Sequence, residues 1–361
     1  MNLNFLTSLF FLPFLVAFLF VFLLTPLGIK LAWKFKLVDD PKIRKHPAHL
    51  YQKTLPRAGG LPIFLGIFLA SVIFLPFDQH LRGILAGGTL LLIIGLLDDR
   101  FDLNPYFRLV ACFLAAGLVV FSGIGIAFIT NPLGGIIKLD QPQIVFSFLG
   151  EQRHLWILAD LFALIWIVFL MNMMNWSKGF DGQLPGIVTI AAITIAVLSL
   201  KFSADVTQWP VTILAAITAG AFLGFLPYNF FPQKIMPGYS GGALAGFMLA
   251  ILAILSTTKV GTAVVVLGVP FIDAVYSITR RILSGRSPVW GDRGHLHHKL
   301  IDEWHWGKRK TAFFYWLITA FLGILALSLP SMGKFYTITL LAVIIGGLLL
   351  WFNFSKVWSD Q

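Results

Sequence analysis

About eleven apolar runs, most of them close to 20 residues long, succeed one another along this chain of 361 residues. A helix of about 20 apolar residues spans a hydrocarbon core of about 30 Å. Hydrophobic residues make up 58% of the sequence and charged residues only 12%, which leaves too little polar surface for a water-soluble domain. The sequence therefore predicts an all-α integral membrane protein with about 11 transmembrane helices, whose solvent is the lipid bilayer. We place these helices at residues 4–31, 58–77, 84–97, 106–129, 156–173, 185–200, 210–230, 241–257, 260–279, 311–329 and 335–354.

Basic residues predict the orientation of the helices. Of the 27 Lys and Arg residues, 21 fall in alternate loops, and loops enriched in this way face the cytoplasm. We therefore expect one polytopic domain over residues 1–361, with the N-terminus outside and the C-terminus in the cytoplasm. The asymmetry explains the net charge of +11 without a nucleic-acid partner, and no nucleic-acid recognition module is recognisable in the sequence. The cytoplasmic loops are predicted at residues 34–57, 98–105, 174–184, 231–240 and 280–310.

Three further features limit the architecture. The single cysteine, Cys112, excludes an intramolecular disulfide and a cysteine-based zinc cluster. The predicted external loop at residues 130–155 contains an Asn-Pro-Leu-Gly-Gly turn, and we expect a small hairpin between residues 136–139 and 144–148. The first apolar run is too long for a signal peptide and lacks a basic start, so we expect a retained helix.

Acidic side chains cluster at the predicted cytoplasmic end of the third helix. Asp98, Asp99 and Asp102 form a D-D-x-x-D pattern. Carboxylates this close repel one another, which raises a pKa or recruits a cation, and Mg²⁺ prefers oxygen ligands of this kind. The alternative is a solvated helix end that Arg100 partly neutralises.

A second polar block follows the fifth predicted helix. Asn172 and Asn175 are three residues apart, so both carboxamides share one helix face. Beyond them, Gly179 and Gly182 bracket Asp181 in a turn whose backbone can approach a ligand closely. The asparagines either contact a ligand or cap the helix.

Two more predicted cytoplasmic loops have polar or small-residue patterns. Small residues at 236–242 open the eighth predicted helix, whose N-terminus offers an anion site. The last large loop carries Arg293, His295, His297 and His298, whose N–H groups can gather on phosphate oxygens. A zinc site is the alternative for the histidines, although at most one carboxylate and no thiolate would join them.

These four clusters, in this order, resemble the polyprenyl-phosphate N-acetylhexosamine-1-phosphate transferase family over most of the chain. The histidine motif has the form seen in the N-acetylglucosamine-1-phosphate transferases. The motifs that carry the resemblance are the D-D-x-x-D cluster, Asp40-Pro41 through Arg44-Lys45, Pro56-x-x-Gly59-Gly60, Asn172-x-x-Asn175, Asn229-x-x-Pro232 and His295-x-His297-His298.

The resemblance implies a membrane enzyme with its active site on the cytoplasmic face. Such an enzyme moves a sugar-1-phosphate, by default that of N-acetylglucosamine, from a UDP-sugar to a polyprenyl phosphate such as undecaprenyl phosphate, and it releases UMP. This is the first membrane step of a cell-envelope glycan. The resemblance further implies Mg²⁺ as the cofactor, allows a homodimer, and places Asp98 and Asp99 at the catalytic and metal centre. The other residues assigned to the site are Asp181 as a catalytic group, and Asn172, Asn175, Asn229, Arg293, His295, His297 and His298 as substrate-binding groups.

Two positions depart from the family pattern. Lys178 stands where the pattern N-x-x-N-x-x-D-G-x-D-G has its first acid. Tyr239 stands where the pattern G-D-x-G-S has an acid that is a principal Mg²⁺ ligand in the family. Two lost carboxylates and one gained ammonium shift the charge of the site by about +3.

Three functional hypotheses are compatible with this pattern. In the first, the chain is an active transferase in which Lys178, counted as a catalytic group, supplies part of the neutralisation that a metal gives elsewhere, so that Mg²⁺ dependence is weak or absent. In the second, the chain is an inactive paralogue that binds polyprenyl phosphate or a nucleotide sugar. In the third, it transports a lipid-linked sugar, and Asp273 is the main mid-membrane charge. The retained acids, asparagines and histidines favour the first.

Overall fold

A multi-pass helical bundle forms most of the protein. The computed structural model describes residues 3–43, 53–131, 134–148, 151–256 and 259–359. Within these ranges, eight helices are long and apolar enough to cross a membrane, and a bent pair adds a ninth candidate span. The predicted helical membrane architecture is therefore confirmed. In chain order the helices are α1 (Leu3–Leu6), continued by a π-helical turn (Thr7–Phe11) and α2 (Leu12–Lys34), then α3 (Gly60–Phe74), α4 (Gln79–Phe101), α5 (Pro105–Phe121), α6 (Ile157–Trp176), α7 (Gln183–Lys201), α8 (Gln208–Asn229), α9 (Gly238–Leu255), α10 (Lys259–Val266), α11 (Gly268–Leu283), α12 (Leu296–Asp302), α13 (Lys308–Ser328) and α14 (Ser331–Ser359).

Two of the predicted spans are interrupted in the structure. The run at residues 106–129 was expected to form one helix, but α5 ends at Phe121, and Gly123 follows with a φ of 92° that a helix does not accommodate. The run at residues 260–279 is split into α10 and α11, which meet at 88°. Helices α3 and α5 have 15 and 17 residues, fewer than the roughly 20 that a bilayer core requires.

Three short antiparallel hairpins lie in the loops. β1 (Val38–Asp39) pairs with β2 (Leu55–Pro56), β3 (Phe128–Thr130) with β4 (Ile136–Lys138), and β5 (Gln143–Phe148) with β6 (Glu151–Trp156).

The hairpin predicted between residues 136–139 and 144–148 is therefore wrong. Gly134 and Gly135 both have positive φ and fold β4 back onto β3, so β4 is already paired when the chain reaches β5. Arg44 and Lys45 of the first-loop motif lie outside the described residues.

Helix α9 lies at the centre of the bundle. Every residue from Gly238 to Ile254 is buried, and α9 packs against α3, α4 and α6. The contact with α6 is so close that a Cβ atom at Gly246 would overlap the carbonyl oxygen of Leu170. Because α9 is enclosed, its first turn begins inside the protein, where its free N–H groups need acceptors from neighbouring elements.

Candidate active site

Asp98 and Asp99 lie where the ends of several helices meet. Both belong to the last turn of α4, and their relative exposures are 0% and 2%. Buried carboxylates require cationic or hydrogen-bonding partners. Arg57, just before α3, places Nη2 3.4 Å from Asp98 Oδ2 and Nε 2.9 Å from Asp99 Oδ1. Arg108, in α5, places Nη1 3.1 Å from Asp98 Oδ1. The sequence had not singled out either arginine as a site residue.

Asp99 also accepts hydrogen bonds from the first turn of α9. The backbone N–H of Tyr239 donates to Asp99 Oδ1 at 2.6 Å, and the Ser240 hydroxyl donates to Oδ2 at 2.8 Å. A carboxylate at this place satisfies free N–H groups of the helix and interacts favourably with its dipole. Gly238 has a φ of 71°, and a Cβ atom there would overlap Asp99, so the close approach depends on glycine.

Asp102, the third acid of the predicted cluster, is not buried with this pair. Its backbone is left-handed, with a φ of 52°, and it ends α4 as an exposed residue. The structure therefore brings two of the three acids together.

The two positions that depart from the family pattern are in contact. Lys178 follows α6, and its Nζ donates to the Gly238 carbonyl at 2.7 Å and lies 5.8 Å from the centre of the Tyr239 ring. The Arg108 guanidinium lies 5.1 Å from the same ring centre. The Tyr239 hydroxyl is 3.2 Å from Cys112 Sγ. One aromatic ring therefore lies within cation–π distance of two cations.

The charge of Lys178 depends on this environment. Burial among the helix ends, together with repulsion from Arg57, lowers the pKa of Lys178 to about 7, although the nearby Asp99 and Asp98 carboxylates oppose the shift. Lys178 lies outside the candidate spans, between α6 and α7. An anionic ligand would favour its protonated form.

The predicted asparagines lie on the final turns of α6. Asn172 Nδ2 donates to the Val168 carbonyl of its own helix at 2.9 Å. Asn175 Oδ1 is buried and has no hydrogen-bond partner among the described residues. It lies beside the start of α9, where a Cβ atom on Gly242 would come within 2.7 Å of it. An unpaired buried oxygen lowers the stability of the fold, and a hydrogen-bond donor on a ligand would satisfy it.

Asp181 and Asn229 connect loops at the same end of the bundle. Asp181 Oδ1 accepts from Gln233 Nε2 at 3.1 Å and lies 3.6 Å from Lys308 Nζ at the start of α13. Asn229 Oδ1 accepts from the Gly182 backbone N–H at 3.0 Å, while Nδ2 donates to the Gln233 side chain and the Ile235 carbonyl. The Asn229 carboxamide is thereby engaged within the protein.

The first histidine of the predicted motif is anchored to α11. His295 Nδ1 lies 2.8 Å from Asp273 Oδ2, and His295 Nε2 lies 3.3 Å from Arg281 Nη2. Because a guanidinium only donates, this geometry fits a ring whose Nε2 accepts and whose Nδ1–H donates to Asp273. Asp273 Oδ1 also accepts from the Leu296 backbone N–H at 2.8 Å. Asp273 therefore has the partner in the bundle interior that its position in an apolar helix requires.

The other two histidines have unpaired atoms; His297 is stacked on the first histidine, and His298 lies against His297. The His295 and His297 rings are 5.7 Å apart and parallel to within 3°. His297 Nε2 and His298 Nδ1 are buried without hydrogen-bond partners among the described residues. Burial lowers the pKa of His298 to about 4 and that of His297 well below its usual value. At neutral pH both rings therefore act as uncharged hydrogen-bonding groups. Arg293 is held outside this stack by Asp302, at 2.7 Å.

The carboxylates at the site do not fit a Mg²⁺ ion. That ion is usually held by one or two carboxylates together with waters and substrate phosphates, and nearby cations repel it. Both oxygens of Asp98 face guanidinium groups, and both oxygens of Asp99 accept hydrogen bonds at the start of α9. Lys178 and Arg108 add positive charge next to Tyr239. In the described part of the chain, no three His, Cys, Asp or Glu side chains are grouped to hold a metal.

The fold and the site together define a multi-pass helical membrane protein with a buried cluster of charges at one end of its bundle. The sequence pattern of glycosyl transferase family 4 matches residues 81–257. The chain belongs to this family of polyprenyl-phosphate N-acetylhexosamine-1-phosphate transferases, and it is a multi-pass protein of the cell membrane.

Three relatives illustrate the relationship. A protein of Bacillus subtilis strain 168, named a probable undecaprenyl-phosphate N-acetylglucosaminyl 1-phosphate transferase, is 29% identical over 92% of this chain and 88% of its own length. The decaprenyl-phosphate N-acetylglucosaminephosphotransferase of Mycolicibacterium smegmatis is 30% identical over 83% of this chain and 76% of its own. The undecaprenyl-phosphate alpha-N-acetylglucosaminyl 1-phosphate transferase of Haemophilus influenzae is 29% identical over 95% and 91%.

Proposed function

We propose that this protein transfers N-acetylhexosamine 1-phosphate from a UDP-sugar to a polyprenyl phosphate such as undecaprenyl phosphate, and releases UMP. The names of the relatives support the reaction class. The observation that carries the proposal to this chain is the buried pair of Asp98 and Asp99 at the first turn of α9, surrounded by cations. The product of this proposed reaction is the first membrane-bound intermediate of a cell-envelope glycan.

The proposed reaction exchanges one phosphorus–oxygen bond for another. An oxygen of the lipid phosphate attacks the phosphorus that bears the sugar, the bond from that phosphorus to the bridging oxygen breaks, and UMP leaves with the electron pair. A phosphate monoester has a second pKa of about 6, so most of the nucleophile is ionised at neutral pH. The protein therefore needs to position two anions and neutralise their charge.

The residues divide into two roles in this proposal. Asp98, Asp99 and Lys178 shape the reaction centre, and Asp181 fixes the adjoining turn through Gln233 and Lys308. The substrate-facing groups are the predicted site residues that have unpaired buried atoms, namely Asn175, His297 and His298.

The remaining predicted substrate-binding residues have partners within the protein. We assign them to positioning the loops around the ligand, because their polar atoms are already engaged. They are Asn172, Asn229, His295 and Arg293.

We further propose that the site faces the cytoplasm, where nucleotide sugars are found. The loops that meet at the site are the basic ones, and basic loops favour that side. The lipid substrate would approach between the helices, with its phosphate reaching the charged cluster from the bilayer.

An inactive paralogue that binds polyprenyl phosphate or a nucleotide sugar is the second candidate. The observation that favours it is the pair Lys178 and Tyr239, which removes carboxylates from the reaction centre. Binding of substrate without turnover would distinguish it from the enzyme.

The test is UMP release by the full-length protein purified in detergent. Undecaprenyl phosphate is offered with a panel of UDP-N-acetylhexosamines, in MgCl₂ or in excess EDTA. The proposal expects UMP formation that depends on the lipid phosphate. Substrate binding without UMP release under either condition would identify the inactive paralogue.

A further inference from the structure

We propose that Lys178 and Arg108, backed by Arg57, replace a divalent cation at this site and bind the diphosphate of the nucleotide sugar directly. This inference rests on the proposed function, since it names how that substrate is held. Its chemistry is a diphosphate bound by ammonium and guanidinium groups.

The charge of the cluster supports this assignment. Two carboxylates, Asp98 and Asp99, face three cations, Arg57, Arg108 and Lys178, which leaves a net charge of +1 when Lys178 is protonated. A divalent cation entering this cluster would be repelled, whereas a diphosphate would be attracted. Each of the four carboxylate oxygens already accepts from a protein donor, so a metal would have to compete with these donors for the carboxylates.

The exposure of the three cations assigns them different tasks. The Arg57 side chain is only 9% exposed and lies against both carboxylates, so it neutralises them from within the protein. The Arg108 side chain is 20% exposed, and Lys178 is half-buried. Lys178 donates to a backbone carbonyl, and in the described part of the chain no carboxylate lies within salt-bridge distance of it. Lys178 and Arg108 are therefore the two cations of the cluster that can bind an anionic ligand.

Tyr239 holds these two cations in place. Its ring centre lies 5.8 Å from Lys178 Nζ and 5.1 Å from the Arg108 guanidinium. Its hydroxyl lies against Cys112, and its backbone N–H binds Asp99, so the ring cannot easily turn away. A neutral aromatic ring at position 239 can position cations, and a lysine at position 178 can form a cation–π interaction with that ring. The two departures from the family pattern therefore form one unit.

The test compares UDP with UMP binding to the full-length protein in detergent by calorimetry. In excess EDTA, UDP is expected to bind at least about tenfold more tightly than UMP, because charge-assisted hydrogen bonds hold the second phosphate. Adding MgCl₂ is expected to change UDP affinity by less than about twofold. Lys178→Gln should weaken the preference for UDP, because only Arg108 then remains to contact the second phosphate. Lys234→Gln is the matched control, because Lys234 also lies over a tyrosine ring, that of Tyr228 at 6.0 Å, but outside the cluster.

A double variant tests the same idea in the opposite direction. Lys178→Asp with Tyr239→Asp replaces one cation by an anion and adds a second anion, which changes the net charge of the cluster from +1 to −2. UDP binding by this variant should require Mg²⁺. Thermal unfolding of each variant verifies that it is folded.

The outcomes separate this inference from the proposed function. UDP binding that requires Mg²⁺ in the unmodified protein, or a preference for UDP that is undiminished in Lys178→Gln, would overturn the inference. If UMP release then proceeds with Mg²⁺, the proposed function stands. Absence of both nucleotide binding and UMP release under every condition would overturn the proposed function as well.

Discussion

The protonation state of Lys178 changes the charge of the site. Burial lowers the pKa of Lys178 to about 7. A lysine with a lowered pKa carries its charge below that value and loses it above. Neutralisation by Lys178 is therefore available at pH 6 and fades as the pH rises through about 7.

This titration predicts a pH profile. In excess EDTA, kcat/KM for the UDP-sugar should fall by up to about tenfold for each pH unit above 7, because kcat/KM reports ionisations of the free enzyme. Lys178→Arg retains its charge and should remove the fall. Steady-state rates of UMP release between pH 6 and 9 measure both profiles. A fall of the same size in Lys178→Arg would assign the titration to another group.

Some residues of the site can be assigned from the sequence alone, and others cannot. Asp98, Asp99 and Lys178 stand in recognisable spacings, so the sequence could assign them to the site. Arg57 and Arg108 could not be assigned, because Arg57 lies 41 residues from Asp98 and each arginine belongs to a different loop or helix start. The presence of Arg57 inside the Pro56-x-x-Gly59-Gly60 motif was the one available signal.

At the scale of elements, α11 positions the histidine motif. Asp273 accepts from the Leu296 backbone N–H and binds the His295 ring. It thereby fixes the start of α12, the helix that carries His297 and His298. Asp273 is a positioning residue, since it acts through these neighbours.

Asp273→Ala should lower both stability and activity. Removing both acceptors leaves two buried donors unpaired, which costs about 1–3 kcal/mol for each donor. Displacement of His297 and His298 by about 1 Å should lower kcat by about 100-fold. Asp273→Asn keeps one acceptor oxygen and should retain more activity than alanine.

UMP release kinetics and thermal unfolding measure these effects. Asp205→Ala is the control, because Asp205 accepts hydrogen bonds from Thr207 but lies at the far end of α7, away from the site. Equal activity in Asp273→Ala and the unmodified protein would remove the positioning role.

Hydropathy predicts the presence of apolar helices more reliably than it predicts where those helices are interrupted. Each of the predicted apolar runs overlaps a helix, because long apolar segments cannot remain in water. The 88° bend between α10 and α11 escaped prediction, since the two helices together are long and apolar enough to pass for one span. The β3–β4 pairing escaped it because two glycines with positive φ decide which strands meet.

At the scale of the whole molecule, the basic loops meet at one end of the bundle. Contacts such as Arg57 with Asp99, Lys178 with Gly238 and Lys308 with Asp181 join loops that are distant in sequence. The alternation of basic loops could be read from the sequence, while their convergence on α9 required the packed structure.

Orientation in the membrane can be tested with introduced cysteines. The native Cys112 is 1% exposed, so it should contribute little background labelling. Arg286→Cys, in an exposed loop after α11, should react with an impermeant maleimide only after cells are permeabilised. Lys138→Cys, exposed in β4, should react in intact cells. The reverse pattern would place the site outside.

The most direct test of the central claim is UMP release in excess EDTA. We expect the purified protein to release UMP from a UDP-N-acetylhexosamine in the presence of undecaprenyl phosphate, at a rate within about twofold of that in MgCl₂. Lys178→Gln should lower the EDTA rate by at least about tenfold, while Lys234→Gln should not. A strict requirement for Mg²⁺, with Lys178→Gln as active as the unmodified protein, would contradict the claim that these cations replace the metal.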